Sequence, residues 1–237
     1  PAELFSGGVH DATVTFDKGN TGLGVEAAQS LEAGLRHAQG PVRFEATVYY
    51  TRFKGFIYRR LSGNTCDEAA DCTAPAELNE AVYSQADATF RGGEFQSQWD
   101  LAPLGSGTFG VENQFDVVRA TFSDGSNVPR IPPLRLGGGV YWRDAKWLAR
   151  VRLIHAFAQN NIAAVAETVT PGYDDLRAEL SYNWKAVKPR ADQLSELSVG
   201  ISGSNLLNRD IRNSVSYSKD QAQMPGASVW LFASVKY

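Results

Sequence analysis

The stretch NTCDEAADCTAP, Asn64 to Pro75, holds both cysteines of the chain, Cys66 and Cys72, with Asp67, Glu68 and Asp71 between them. Thiols this close can close a small loop as a disulfide wherever the compartment is oxidising. The three carboxylates on the same segment suggest a cation trap, although a charge run on a loop is also what plain solvation produces. His10, next to Asp11, offers either a contact to a metal or ligand or an ordinary solvated histidine. The histidines His10, His37 and His155 are scattered and lack a metalloenzyme spacing, so no resident metal site is expected. No phosphate-binding loop and no nucleophile elbow is present. The sequence therefore does not read as an enzyme, and no cofactor is expected. A net charge of -3 gives no basic footprint, so nucleic acid is excluded as a partner.

The elements that position these residues alternate with period two. In DLRAELSYNWK, Leu176, Ala178, Leu180, Tyr182 and Trp184 alternate with Asp175, Arg177, Glu179, Ser181, Asn183 and Lys185. Successive side chains of a strand point to opposite faces, so one face is apolar and the other polar. VRFEATVYYT repeats this, with Arg43 and Glu45 opposite Val42, Phe44, Ala46 and Val48. Glu112 and Asp116 stand opposite Val111, Phe115 and Val117, and Arg150 and Arg152 opposite Ala149, Val151 and Leu153. No segment has a helical period. The fold class is all-β, in nine predicted strands near 30–39, 42–54, 80–102, 108–122, 134–143, 147–160, 174–186, 194–205 and 228–237. Gly92 and Gly93 suggest a bulge in the third.

These strands are longer than the 5–6 residues usual in globular sheets and suit the 9–11 of a tilted membrane span. Their connections alternate between short (39–41, 103–107, 143–146) and long (54–79, 123–133, 161–173, 206–226). An outer-membrane barrel has this asymmetry, with short periplasmic turns and long extracellular loops. Trp99, Phe109, Trp142, Trp147, Tyr182 and Trp184 lie near strand ends, as an interfacial girdle requires. A soluble sandwich or lipocalin-like barrel would show the same alternation with the apolar face turned in. Strand length and loop asymmetry favour an antiparallel transmembrane β-barrel portion. On this parity Pro1 to about Gln29 is extracellular, and so is the cysteine loop, where a Cys66–Cys72 disulfide is favoured. The chain begins at Pro1 with no initiator Met or leader, which suggests a mature or truncated piece. An odd strand count also suggests part of a larger barrel, since barrels close their edges.

Several segments resemble one family in order along the chain. They are ELFSGGVHDATVTFDKGNTGLGVEAAQSLEAGLR (Glu3 to Arg36), YSQADATFRGGEF (Tyr83 to Phe95), VPRIPPLRLGGGV (Val128 to Val140), AQNNIAAVAETVTPGYDDLRAELSY and GSNLLNRDIRNSVS. Together they are similar to the C-terminal part of the β-barrel of TonB-dependent outer-membrane receptors, over nearly all of residues 1–237. The resemblance implies about nine to ten strands of a 22-stranded barrel whose plug domain is absent from this chain. It implies uptake of a scarce nutrient, an iron–siderophore or other metal chelate, from outside a bacterial cell outer membrane. The implied partners are a TonB–ExbB–ExbD complex acting through the missing plug, outer-membrane lipid, and the barrel-assembly machinery, which would read the terminal aromatic Tyr237. The polar faces would then line the lumen through Arg43, Glu45, Glu112, Asp116, Arg150, Arg152, Asp175, Arg177, Glu179 and Lys185. There they would hydrogen-bond a hydrated plug, or simply pair with one another across strands. His10, Asp67, Glu68 and Asp71 are ligand-loop candidates that would also suit a zinc receptor. A passive porin-like channel or adhesin barrel is the alternative outside this family. Pro129, Pro132 and Pro133 would stiffen the rim. Gly137 to Gly139 would either make room for an inward-folded element or mark a twist or bulge.

Overall fold

The computed structural model describes residues 2–73, 75–163, 167–185 and 195–236. The described residues form a single 11-stranded sheet. Its main run is an antiparallel meander of nine strands: β3 (Ala27–His37), β4 (Val42–Cys66), β5 (Leu78–Leu104), β6 (Gly107–Phe122), β7 (Arg135–Arg143), β8 (Trp147–Ala156), β9 (Tyr173–Lys185), β10 (Glu196–Ser204) and β11 (Ser228–Lys236). The nine strands expected from alternation are these nine. Two short strands precede them, β1 (Gly7–His10) and β2 (Thr15–Lys18), in the N-terminal stretch expected to be loop. β2 runs parallel to the far end of β5, pairing Thr15 with Asn79 and Lys18 with Val82, where β6 has already ended.

The faces settle the orientation. Val48, Phe95, Trp99, Val140, Val151, Leu180, Ile201 and Leu231 stand on the exposed outer face, Leu231 at 81% exposure. Glu112, Asp175 and Ser181 are buried on the opposite side, Glu112 at 6%. A water-soluble sheet buries its apolar face; this one presents it outward, as a sheet in lipid does.

Several expectations fail: the first strand of the meander spans Ala27–His37 rather than 30–39. The segment 54–79 is mostly strand, because β4 and β5 continue as a hairpin of 25 and 27 residues. At about 3.3 Å per residue, 25 residues reach roughly 80 Å, well beyond a hydrocarbon core of about 30 Å. The hairpin therefore projects as a ledge, and bulges at Phe53/Phe56 and Leu61/Thr65 bend it. β8 stops at Ala156, short of residue 160, although Phe157 N–H still donates in register to the Leu134 carbonyl at 2.9 Å. Gly92 and Gly93 do not form a bulge. They pair in register with Tyr49 and Val48, and a Cβ on Gly92 would lie 2.4 Å from the Tyr49 hydroxyl. Gly137 to Gly139 are likewise in register on both sides, without a bulge. Cβ atoms at Gly137 and Gly139 would meet the Gln114 side chain at 2.5 Å and the Val151 carbonyl at 2.6 Å, so the glycines admit neighbouring strands. Tyr237 and the expected strand ends at 186 and 194 lie outside the described residues.

Candidate functional site

The inner wall at the waist consists of charges placed in rows by register. Arg43, Gln98, Glu112, Gly139, Arg152 and Arg177 are consecutive cross-strand partners. Glu112 draws Arg150 Nε to 3.4 Å and Arg152 Nε to 3.8 Å across the gap left by Gly139. Asp116 pairs with Arg135 at 2.9 Å, Asp175 with Arg177 at 2.7 Å, Glu45 with Arg36 at 3.9 Å and Lys185 with Glu196 at 3.7 Å. Glu179 is the register partner of Arg150 and accepts from Ser181 Oγ at 3.3 Å. Arg43 forks onto Asp100 at 2.9 and 3.0 Å, and Asp100 also takes Tyr141 Oη at 2.5 Å and Arg143 at 3.0 Å. Sequence reasoning omitted Asp100, Arg135, Tyr141 and Arg143. Their parity with Gln98 and Gly139 was the available signal. Mixed signs paired at these lengths leave no single-sign field on this wall.

Toward the outer end the same inner faces turn apolar. Phe53 of β4, Ala88 and Phe90 of β5, and Ala120 and Phe122 of β6 meet Val128 and Ile131, which the β6–β7 connection folds back over them. The prolines thus set the path of a loop that seals its own strands. Gln159 Nε2 donates to the carbonyls of Ile131 at 2.7 Å and Pro132 at 3.0 Å, holding the β8–β9 connection against it. Arg130 adopts φ of 63°, and its N–H donates to Glu167 at 2.9 Å.

A second loop crosses to this point from β10–β11. Tyr217 lies between two guanidiniums, with Arg59 Cζ 4.3 Å and Arg130 Cζ 4.1 Å from its ring centroid. Its hydroxyl donates to the Arg59 carbonyl at 2.9 Å, and burial pushes the phenol pKa up. Arg59 in turn donates to Thr15 and Asp17 of β2. Lys219, at 2% exposure, reaches Thr168 and Asp220 and ties the same loop to the β8–β9 connection. Arg59, Arg130, Tyr217 and Lys219 carried no sequence signal, because nothing local marks where a loop will dock.

On the ledge, Cys66 and Cys72 are disulfide-bonded. Glu80 accepts from Lys18 Nζ at 2.7 Å and Ser62 Oγ at 2.6 Å, and these bonds hold its carboxyl down at about 2. Asp67 Oδ1 accepts the N–H groups of Ala69 and Asp71, and Asp71 Oδ1 accepts the N–H and the hydroxyl of Thr73, so one oxygen of each shapes the tip. Glu68 is exposed there, while His10 bonds Thr13 at 3.0 Å at the end of β1. Among the described residues one trio of potential metal ligands converges, Cys66, Cys72 and Glu80. Its sulfurs are bonded to each other. His155 stands outside the lumen and pairs with Asp174 at 2.7 Å.

An apolar outer face, a charged inner face and loops folded into one mouth define the wall of a membrane β-barrel. The chain matches the family described as TonB dependent receptor-like, beta-barrel over residues 1–206, and it belongs to that family. Three solved structures share the fold. Copper transporter OprC superposes with a TM-score of 0.68 at 16% identity, over 91% of this chain and 32% of that one. The FrpB iron transporter from Neisseria meningitidis gives 0.57 at 13% identity, over 92% and 32%. A mutant of the ferric enterobactin receptor PfeA from Pseudomonas aeruginosa gives 0.52 at 15% identity, over 93% and 32%. The chain thus spans about a third of the length of these structures.

Proposed function

We propose that this chain is the C-terminal part of the barrel of an outer-membrane active-transport receptor that imports a metal nutrient. The iron–siderophore or other metal chelate enters from outside, and TonB with ExbB and ExbD supplies energy through a plug carried elsewhere in the receptor. The family match carries this reading, and the inner wall agrees with it. Its charges of both signs pair with one another across strands, as suits a wall that faces a polar plug. The three similar structures are, by name, a copper transporter, an iron transporter and a ferric enterobactin receptor, which favours a metal cargo. His10, Asp67, Glu68 and Asp71 are proposed as outer contacts for that cargo, and the barrel-assembly machinery as the partner that inserts the chain.

The test is growth of a strain lacking the receptor on a single chelated iron, copper or zinc source, with and without functional TonB. The expected result is a defect on one source, restored by the intact receptor only when TonB works. Indifference to all three metals would remove the metal reading, and rescue without TonB would favour a passive channel.

A further inference from the structure

The outer face of β3–β11 carries few charges, and most of the cations among them are gathered in one place. On β4, β5 and β6 the lipid-side parity is fixed by Val48, Tyr50, Phe95 and Trp99, all exposed. Following the same parity outward, β4 reaches Arg52 and Lys54, β5 reaches Arg91, and β6 reaches Arg119. Tyr50, Arg91 and Arg119 are cross-strand partners in one row; Arg52, Thr89 and Thr121 form the next. Directly below lie the apolar rows Val48–Gly93–Val117 and Ala46–Phe95–Phe115. Arg91 and Arg119 therefore face each other across neighbouring strands, an arrangement of like charges that a sheet disfavours unless an anion is shared. Among the described residues none of the four cations has a carboxylate within ion-pair distance. Asp87, the acid on the same face, has one oxygen occupied by the Gly55 N–H at 2.8 Å.

We propose that Arg52, Lys54, Arg91 and Arg119 form a binding site for the phosphate groups of an outer-leaflet glycolipid whose acyl chains lie on the apolar rows beneath. Cations directly above an apolar band sit at headgroup depth, and guanidiniums bind phosphate by paired hydrogen bonds. Position selects the leaflet: the patch lies at the ledge end of the strands, beside the long loops, and the short turns lie at the other end. The site rests on the outer-membrane reading above.

The test uses the intact receptor in a non-ionic detergent, with native mass spectrometry counting retained lipid. The probes are lipid A with both phosphates, its phosphate-free analogue, and phosphatidylglycerol. The wild type is expected to retain phosphorylated lipid A above both others. A triple Arg52→Gln, Arg91→Gln, Arg119→Gln variant is expected to lose about a hundred-fold in retention, and the triple Arg→Lys variant to keep most of it. Equal retention of the phosphate-free lipid or of phosphatidylglycerol would overturn the site, as would an unaffected Gln triple. Should that triple fail to fold, as judged by heat-modifiable gel mobility, the single Arg91→Gln variant and the wild-type phosphate comparison decide. A receptor monodisperse without detergent would sink the membrane reading itself, whereas a detergent-dependent one without lipid preference would sink only this site.

Discussion

The inner faces of β4, β5 and β6 carry two chemistries along the same strands. At the waist Arg43, Gln98 and Glu112 line up, and the charges pair with others across the strands. About four to five repeats of the pleat further out, Phe53, Phe90, Ala88, Ala120 and Phe122 are covered by Val128 and Ile131. The waist is a paired polar surface, while the outer end of these strands is covered by the protein's own loop through ordinary apolar burial. Apolar burial is thus concentrated at the outer end, and charge pairing at the waist.

That contrast can be broken by substitution. The largest effect is expected from Val128→Asp, which buries a charge against Ala88 and Ala120. It should cost about 3 kcal/mol and expose residues 123–134 to hydrogen exchange. Removing the disulfide by Cys66→Ser with Cys72→Ser should cost about 2 kcal/mol of local stability at the ledge, read as faster proteolysis between residues 66 and 78, with the mouth unchanged. Tyr217→Ala should loosen the β10–β11 loop by about 1–2 kcal/mol through the two lost cation–π contacts. Tyr217→Phe should lose less, and exchange at residues 205–227 separates them. Glu45→Gln at the waist, whose pair with Arg36 is exposed, should change thermal stability by less than about 1 kcal/mol. A larger loss there would show that the waist is a structural core after all.

The ledge adds a pH test. The Glu80 carboxyl is depressed from the ordinary value of 4.5 to about 2, chiefly by the Lys18 bond and then by Ser62. A carboxylate with a lowered folded value stabilises fully above its unfolded value, and that contribution disappears as pH falls through the folded one. Exchange protection of β2 should therefore hold from neutral pH to about 4.5 and fail toward 2. Glu80→Gln should remove the step.

Alternation made most of the fold legible. DLRAELSYNWK and VRFEATVYYT announce their two faces without reference to anything distant, and β9 and β4 carry those faces as expected. The ledge was hidden because Gly55, Gly63 and the charged run from Arg59 read as loop, whereas bulges let the hairpin continue through them. Of the wall charges, parity indicated the side on which Arg43 and Glu112 stand, but Asp100, Tyr141 and Arg143 were passed over because each sits beside a turn.

Sequence by itself determined which residues share a face and where the apolar rows give way to the arginines at positions 52, 91 and 119, because period two is a local property of an extended backbone. Tertiary structure alone decided that Glu112 serves two arginines, that Val128 packs on Ala88 and Ala120 and that Tyr217 meets Arg59 across 158 residues of chain. Those contacts depend on strand register and loop docking, where the free energy belongs to surfaces brought together from far apart and no short segment records it.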